Sequence, residues 1–177
     1  YFLNAIMPVC EKWDINMCVH PDDPPMEVLG LPRIVRTAED IRWMLNAVDN
    51  PHNGLTFCAG SLSAGEENDV VAMANEFASR THFVHMRSCN VLGGGNFIEA
   101  PHTAGRGHLV ELARIFTKEE RRRNANDGIG LPMRVDHGKD ILDDAVNGYN
   151  PGYGFYGRML ALGLVGGMMA AVEDELK

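Results

Sequence analysis

Four short apolar runs divide this chain, and each one ends on a residue that can bind a metal or carry a proton. Ile15–Val19 runs into His20, Gly54–Phe57 into Cys58, Thr81–Val84 into His85, and Leu131–Val135 into Asp136 and His137. Runs this short, bounded by turn residues, predict strands, and strands apolar on both faces predict a parallel sheet covered by helices. Between them the period changes to that of a helix. Ile41, Met44, Leu45 and Val48 form one stripe, Val70, Met73, Ala74 and Phe77 a second, and Leu109, Leu112, Ala113 and Phe116 a third. Thr37, with Asp40 three residues on, predicts the cap of the first of these helices, and Asn68 that of the second. An opening stripe on Leu3, Ile6, Met7 and Cys10 predicts a helix that begins without a cap, as if cut from something longer. A closing helix is predicted from Tyr156 to Leu176.

The connecting stretches predict loops. Pro21-Asp22-Asp23-Pro24-Pro25 stops the first strand, since proline can continue neither a ladder nor a helix. A glycine-rich loop is expected from Cys89 to Gly107, and another loop from Arg121 to Gly130. Four strand–loop–helix units in series leave two architectures open, a doubly wound sheet or part of a (β/α) barrel. A closed eight-stranded barrel needs about 250 residues, so 177 residues in one domain supply about half of one.

Charge and composition narrow the partners. The net charge is −8, and the basic cluster Arg121-Arg122-Arg123 follows Glu119-Glu120 as the solvated end of a helix, so nucleic-acid binding is not expected. Four cysteines without a C-x-x-C pair and no signal-peptide pattern point to a reducing cytoplasm. The apolar run from Met159 to Val172 is 14 residues long, too short for a bilayer, and predicts a buried helix and no membrane partner.

The strand tips carry the candidate chemistry. In parallel α/β folds ligands bind at the C-terminal ends of strands, so His20, Cys58, His85 and Asp136 are expected to converge on one divalent ion. His82 differs from His85 in strand parity, and His85, nearer the end, is the better candidate. The same alternation turns Asp136 and His137 to opposite sides. Two imidazoles, a thiolate and a carboxylate suit Zn²⁺, Fe²⁺, Co²⁺ or Mn²⁺ rather than Mg²⁺ or Ca²⁺. A strand-end cysteine also serves as a small core residue, and a strand-end histidine as a structural hydrogen-bonding group; spacing alone leaves both open. Asp22, Asp23, His102, His137, Tyr149 and Tyr153 form a second set. Tyr153, on the turn Pro151-Gly152-Tyr153-Gly154, offers a general acid. Arg33 and Arg87 are candidates for binding a substrate carboxylate as bidentate donors.

The assembled residues resemble the mannonate dehydratase family. The resemblance rests on His20-Pro21-Asp22-Asp23-Pro24-Pro25, Gly54-Leu55-Thr56-Phe57-Cys58-Ala59-Gly60-Ser61, His82-Phe83-Val84-His85-Met86-Arg87, Phe97-Ile98-Glu99-Ala100, Arg134-Val135-Asp136-His137-Gly138 and Asn150-Pro151-Gly152-Tyr153, in family order along nearly the whole chain. It implies the C-terminal half of a TIM (β/α)8 barrel of the xylose-isomerase-like type, about four βα units. It also implies an Mn²⁺ or Fe²⁺ cofactor and dehydration of D-mannonate to 2-keto-3-deoxy-D-gluconate in hexuronate breakdown. The family's metal ligands fall on His20, Cys58, His85 and Asp136, and its catalytic residues on His137 and Tyr153. Asp22, Arg33, Arg87 and His102 are the substrate-binding candidates. Ile98 stands where the family has histidine, and Gly105-Arg106-Gly107-His108-Leu109 departs from the family's Gly-Asp-x-Asp-Met, so contacts from that loop are expected to differ. The expected assembly is a homo-oligomer, because a half-barrel leaves open sheet edges. Two rival expectations are a catalytically silent half-barrel and another metal-dependent sugar enzyme, such as an isomerase.

Overall fold

The computed structural model describes residues 1–126 and 129–177. Its centre is a four-stranded sheet of β1 (Met17–Val19), β2 (Asn53–Cys58), β3 (Thr81–His85) and β6 (Met133–Arg134), in the order β1-β2-β3-β6 with every pairing parallel. All six residues of β2 are buried, as a central strand covered on both faces requires. Register places Cys58 beside His85 and His85 beside Arg134, so the tips of three strands end level.

The helices follow from the stripes. In α2 (Ala38–Ala47) the Thr37 hydroxyl accepts from the Asp40 amide, and the Asp40 carboxylate accepts from the Thr37 amide, a complete capping box. Ile41, Met44 and Leu45 face the core. In α4 (Val70–Phe77) the cap is Asp69, which accepts from the Val71 and Ala72 amides. Asn68 is not the cap; its amide donates to the Arg36 and Leu62 carbonyls. In α5 (Leu109–Asn126) Phe116 reaches the sheet and meets Phe57 edge-on, ring centroids 5.2 Å apart. The opening helix α1 (Phe2–Trp13) buries Met7 and Cys10.

Further expectations need correction. The segment from Cys89 to Gly107 is not all loop, because β4 (Cys89–Gly93) and β5 (Asn96–Glu99) pair as an antiparallel hairpin. Gly93, Gly94 and Gly95 turn it with positive φ, a conformation open to glycine at little cost. Next, Arg121–Asn126 is helical, not loop, and residues 127 and 128 of that predicted loop lie outside the described residues. Arg123 is buried there, donating to the Ala78 and Thr81 carbonyls and pairing with Glu119, so the cluster is not simply a solvated helix end. The residues directly after β2, Ala59–Ser63, form the short helix α3. Last, the closing helix α6 (Phe155–Glu175) is largely exposed. It packs on α5 through Arg114–Glu175 and Arg121–Glu173 pairs, while Met159, Leu160 and Leu162 stay 54%, 50% and 55% exposed. By length and composition it could cross a membrane, and only 22% of its apolar stretch is buried.

Candidate metal centre and proton-transfer pair

Three strand tips bring nitrogen and sulfur donors together. His20 follows β1, Cys58 ends β2 and His85 ends β3, and one donor atom from each lies within 4.8 Å of the other two. His20 Nδ1 donates to the Pro21 carbonyl at 2.6 Å, which leaves Nε2 turned to the cluster, 3.2 Å from His85 Nδ1. Asp136 comes from beyond β6 and brings Oδ2 to 3.4 Å from His85 Nδ1. Donors held at about 2.0–2.3 Å from one ion at tetrahedral angles lie roughly 3.3–3.8 Å apart. The spacing of His20, Cys58 and His85, with Asp136 beside His85, and the N/S/O chemistry of the four residues fit a divalent transition ion.

The electrostatics are those of a cluster built for charge. Burial alone would push the Cys58 thiol up, but hydrogen bonds from His20, His85 and Ser61 outweigh it and bring the thiol down to about 6. Burial likewise opposes charge on His85, yet Asp136 and Cys58 raise its imidazole to about 9. Asp136 is lowered to about 2 despite burial, by His85 first and then by His137 and Arg134. Arg134 Nη2 lies 2.9 Å from Asp136 Oδ1, a partner the sequence pattern does not indicate.

The alternation expected at Asp136 and His137 fails for a backbone reason. Asp136 has φ 59°, in the left-handed region, so the strand has already turned and strand parity no longer applies. The two side chains lie on the same side, with His137 Nε2 3.9 Å from Asp136 Oδ2. Gly138 and Gly152 then fold the following loop back. The Gly138 amide donates to the Gly152 carbonyl, and Gly152 has φ 81°. Tyr153 is thereby laid over His137, with ring centroids 4.6 Å apart and the hydroxyl 2.8 Å from Nε2.

Glu99, at the end of β5, is the site residue that strand-tip reasoning missed. Its carboxylate accepts from His137 Nδ1 at 2.8 Å and from Arg87 Nε and Nη2. Arg87 Nη1 donates to Asp23 at 2.5 Å, so all three guanidinium nitrogens are engaged. The guanidinium, 3% exposed, is thus committed to two carboxylates of the chain itself, where a substrate carboxylate was expected. Asp22 accepts from the Ile34 and Val35 amides at 2.7 Å and holds the loop after β1, with Arg33 3.7 Å away. His102 is buried and donates from Nε2 to the Val135 carbonyl. His82 points elsewhere, its Nε2 donating to the Pro51 carbonyl. A cavity of about 530 Å³ adjoins the cluster at Asp136, walled by Arg134, Phe155, Arg158 and Met159.

Fold and site define an α/β protein of parallel βα units that gathers polar side chains at the C-terminal ends of its strands. The chain belongs to the D-mannonate dehydratase family, whose model matches residues 1–177. It is 42% identical to mannonate dehydratase 2 of Agrobacterium fabrum over 177 residues, which is 99% of this chain and 45% of that protein. It is 45% identical to the mannonate dehydratase of Saccharophagus degradans, covering 97% of this chain and 44% of the relative. The crystal structure of mannonate dehydratase from Streptococcus suis serotype 2 superposes with a TM-score of 0.87 at 33% identity, over 99% of this chain and 48% of that one. The chain spans about half the length of these relatives.

Proposed function

We propose that this chain carries the metal and proton-transfer centre of a lyase that dehydrates D-mannonate to 2-keto-3-deoxy-D-gluconate, a step in hexuronate breakdown. The observation that carries the reading is the 2.8 Å contact between His137 and Tyr153, beside Asp136 and the His20–Cys58–His85 cluster that it joins through His85. Dehydration removes the C2 proton and the C3 hydroxyl of the sugar acid. One member of the pair takes the C2 proton, while the other delivers a proton to the hydroxyl as the C3–O bond breaks. The released electron pair forms the C2–C3 double bond, and the resulting enol rearranges to the keto acid. Because the two side chains are hydrogen-bonded, the proton gained by one returns to the other, and the pair is reset. His20, Cys58, His85 and Asp136 would hold Mn²⁺ or Fe²⁺, which would neutralise the charge that builds on the substrate carboxylate as the C2 proton leaves.

The fold fits the C-terminal half of a (β/α)8 barrel. Its sheet is wholly parallel, β1 and β6 each lack a neighbour on one side among the described residues, and α6 presents apolar side chains beside the β6 edge. Such edges need cover, which also favours a homo-oligomer. Four free cysteines suit the cytoplasm. The test is incubation of the protein, loaded with Mn²⁺ or Fe²⁺, with D-mannonate, followed by mass analysis. Loss of one water supports the dehydratase. An isomer of unchanged mass would make the chain a sugar isomerase, and unaltered substrate would make it a silent half-barrel.

A further inference from the structure

We infer that Glu99 is a positioning residue that fixes the tautomer of His137 and thereby makes His137 the base and Tyr153 the acid. The inference rests on the proposed dehydratase reading for the two roles, but its geometry stands by itself. An ionised carboxylate only accepts, so the 2.8 Å contact with Glu99 places the imidazole proton on Nδ1. The lone pair of neutral His137 is then on Nε2, where it accepts from the Tyr153 hydroxyl. Glu99 itself cannot turn away. Arg87 grips it through Nε and Nη2, and Arg87 is held from the other side by Asp23. The guanidinium stem lies over Gly60, where a Cβ would stand 2.3 Å from Arg87 Cδ, so only glycine lets Arg87 follow this path. Three segments far apart in sequence thus converge on one imidazole nitrogen that never meets the substrate.

The proton count follows. As the Tyr153 hydroxyl turns from Nε2 to the C3 hydroxyl, it frees the lone pair that takes the C2 proton; the Tyr153 proton leaves with the C3 hydroxyl as water, and the imidazolium returns its Nε2 proton to the phenolate. The elimination itself requires no other donor or acceptor.

Isotope-labelled histidine NMR of the full chain, with and without Zn²⁺ as a diamagnetic ion, reads the tautomer without turnover. The expected result is His137 protonated on Nδ1 in the wild-type chain and in Glu99→Gln, whose amide oxygen still accepts, and loss of that tautomer in Glu99→Ala. A wild-type His137 protonated on Nε2 overturns the inference even if Glu99→Ala fails to fold, and so does an Ala variant identical to wild type. On D-mannonate, Glu99→Ala should lower kcat by roughly 10- to 100-fold, as loss of an outer-shell orienting partner does, with KM little changed. A loss confined to KM would contradict it. The expected tautomer together with no dehydration would refute the dehydratase reading and leave the orientation by Glu99 standing.

Discussion

Gly157 in the first turn of α6 lies against the Lys139 carbonyl, at a point where a Cβ would come within 2.0 Å of that oxygen. The neighbouring Gly138 is pressed on the Gly157 backbone in the same way, 2.8 Å from where its own Cβ would stand. This contact clamps the segment carrying Asp136 and His137 onto the helix that follows Tyr153. The obstacle is backbone, so no rotamer change relieves it. Gly157→Ala should destabilise by about 1–3 kcal/mol, or roughly 2–4 °C of Tm per kcal/mol for a chain of this size. Thermal melts check it; an unchanged Tm would mean that the two backbones part easily.

Cys58→Ser should weaken binding of Mn²⁺ or Fe²⁺ by more than the roughly 10- to 100-fold typical of losing an outer partner. It should also turn the remaining preference toward oxygen-seeking ions. Calorimetric titration of both proteins is the measurement. Equal affinities would remove the thiol from the set of ligands.

Metal uptake should be pH-dependent, with a sign set by Cys58 and His85, each of which must give up a proton to ligate. Between about pH 6 and about 9 the ion-free cluster holds a Cys58 thiolate and a protonated His85. A ligating imidazole must be neutral, so binding in this window expels the His85 proton, and His20, also raised by its contact with Cys58, adds to the release at the lower end. Affinity therefore rises with pH and levels off above about 9, where His85 is already neutral. Below about 6 the fall steepens, because the thiol must ionise as well. Titrations in two buffers of different ionisation heat count the proton, and a count of zero near neutrality would rule out His85 as a ligand.

His137→Ala and Tyr153→Phe should each lower turnover of D-mannonate by about 10²- to 10⁴-fold, with metal content matched to wild type. Tyr153→Phe keeps the ring over His137 and removes only the hydroxyl, so it isolates the proton. Near-wild-type rates in both variants would move the chemistry elsewhere.

The sheet and the core faces of the helices were visible in the sequence because one-dimensional periodicity records burial directly. Ile41, Met44 and Leu45 repeat as a helix must, and the strands run apolar up to a polar tip. What stayed hidden depends on meetings across the chain. Glu99 was masked by a glycine-rich stretch that folds as a hairpin, and only the hairpin carries it to His137. Asp144 binds the amides of Tyr156 and Gly157 from 12 and 13 residues away, a helix cap that no local pattern announces. The strand parity assigned to Asp136 and His137 presumed extended backbone, and φ 59° at Asp136 removes that premise.

That dihedral has a consequence for how the carboxylate can be probed. Left-handed backbone favours Asp and Asn over other non-glycine residues, so the position constrains its occupant twice, by shape and by charge. Asp136→Asn keeps the shape and removes the charge, whereas Asp136→Ala disturbs both. The difference in Tm between the two ion-free variants therefore measures what the bend alone demands, and ion affinity in the Asn variant measures the carboxylate.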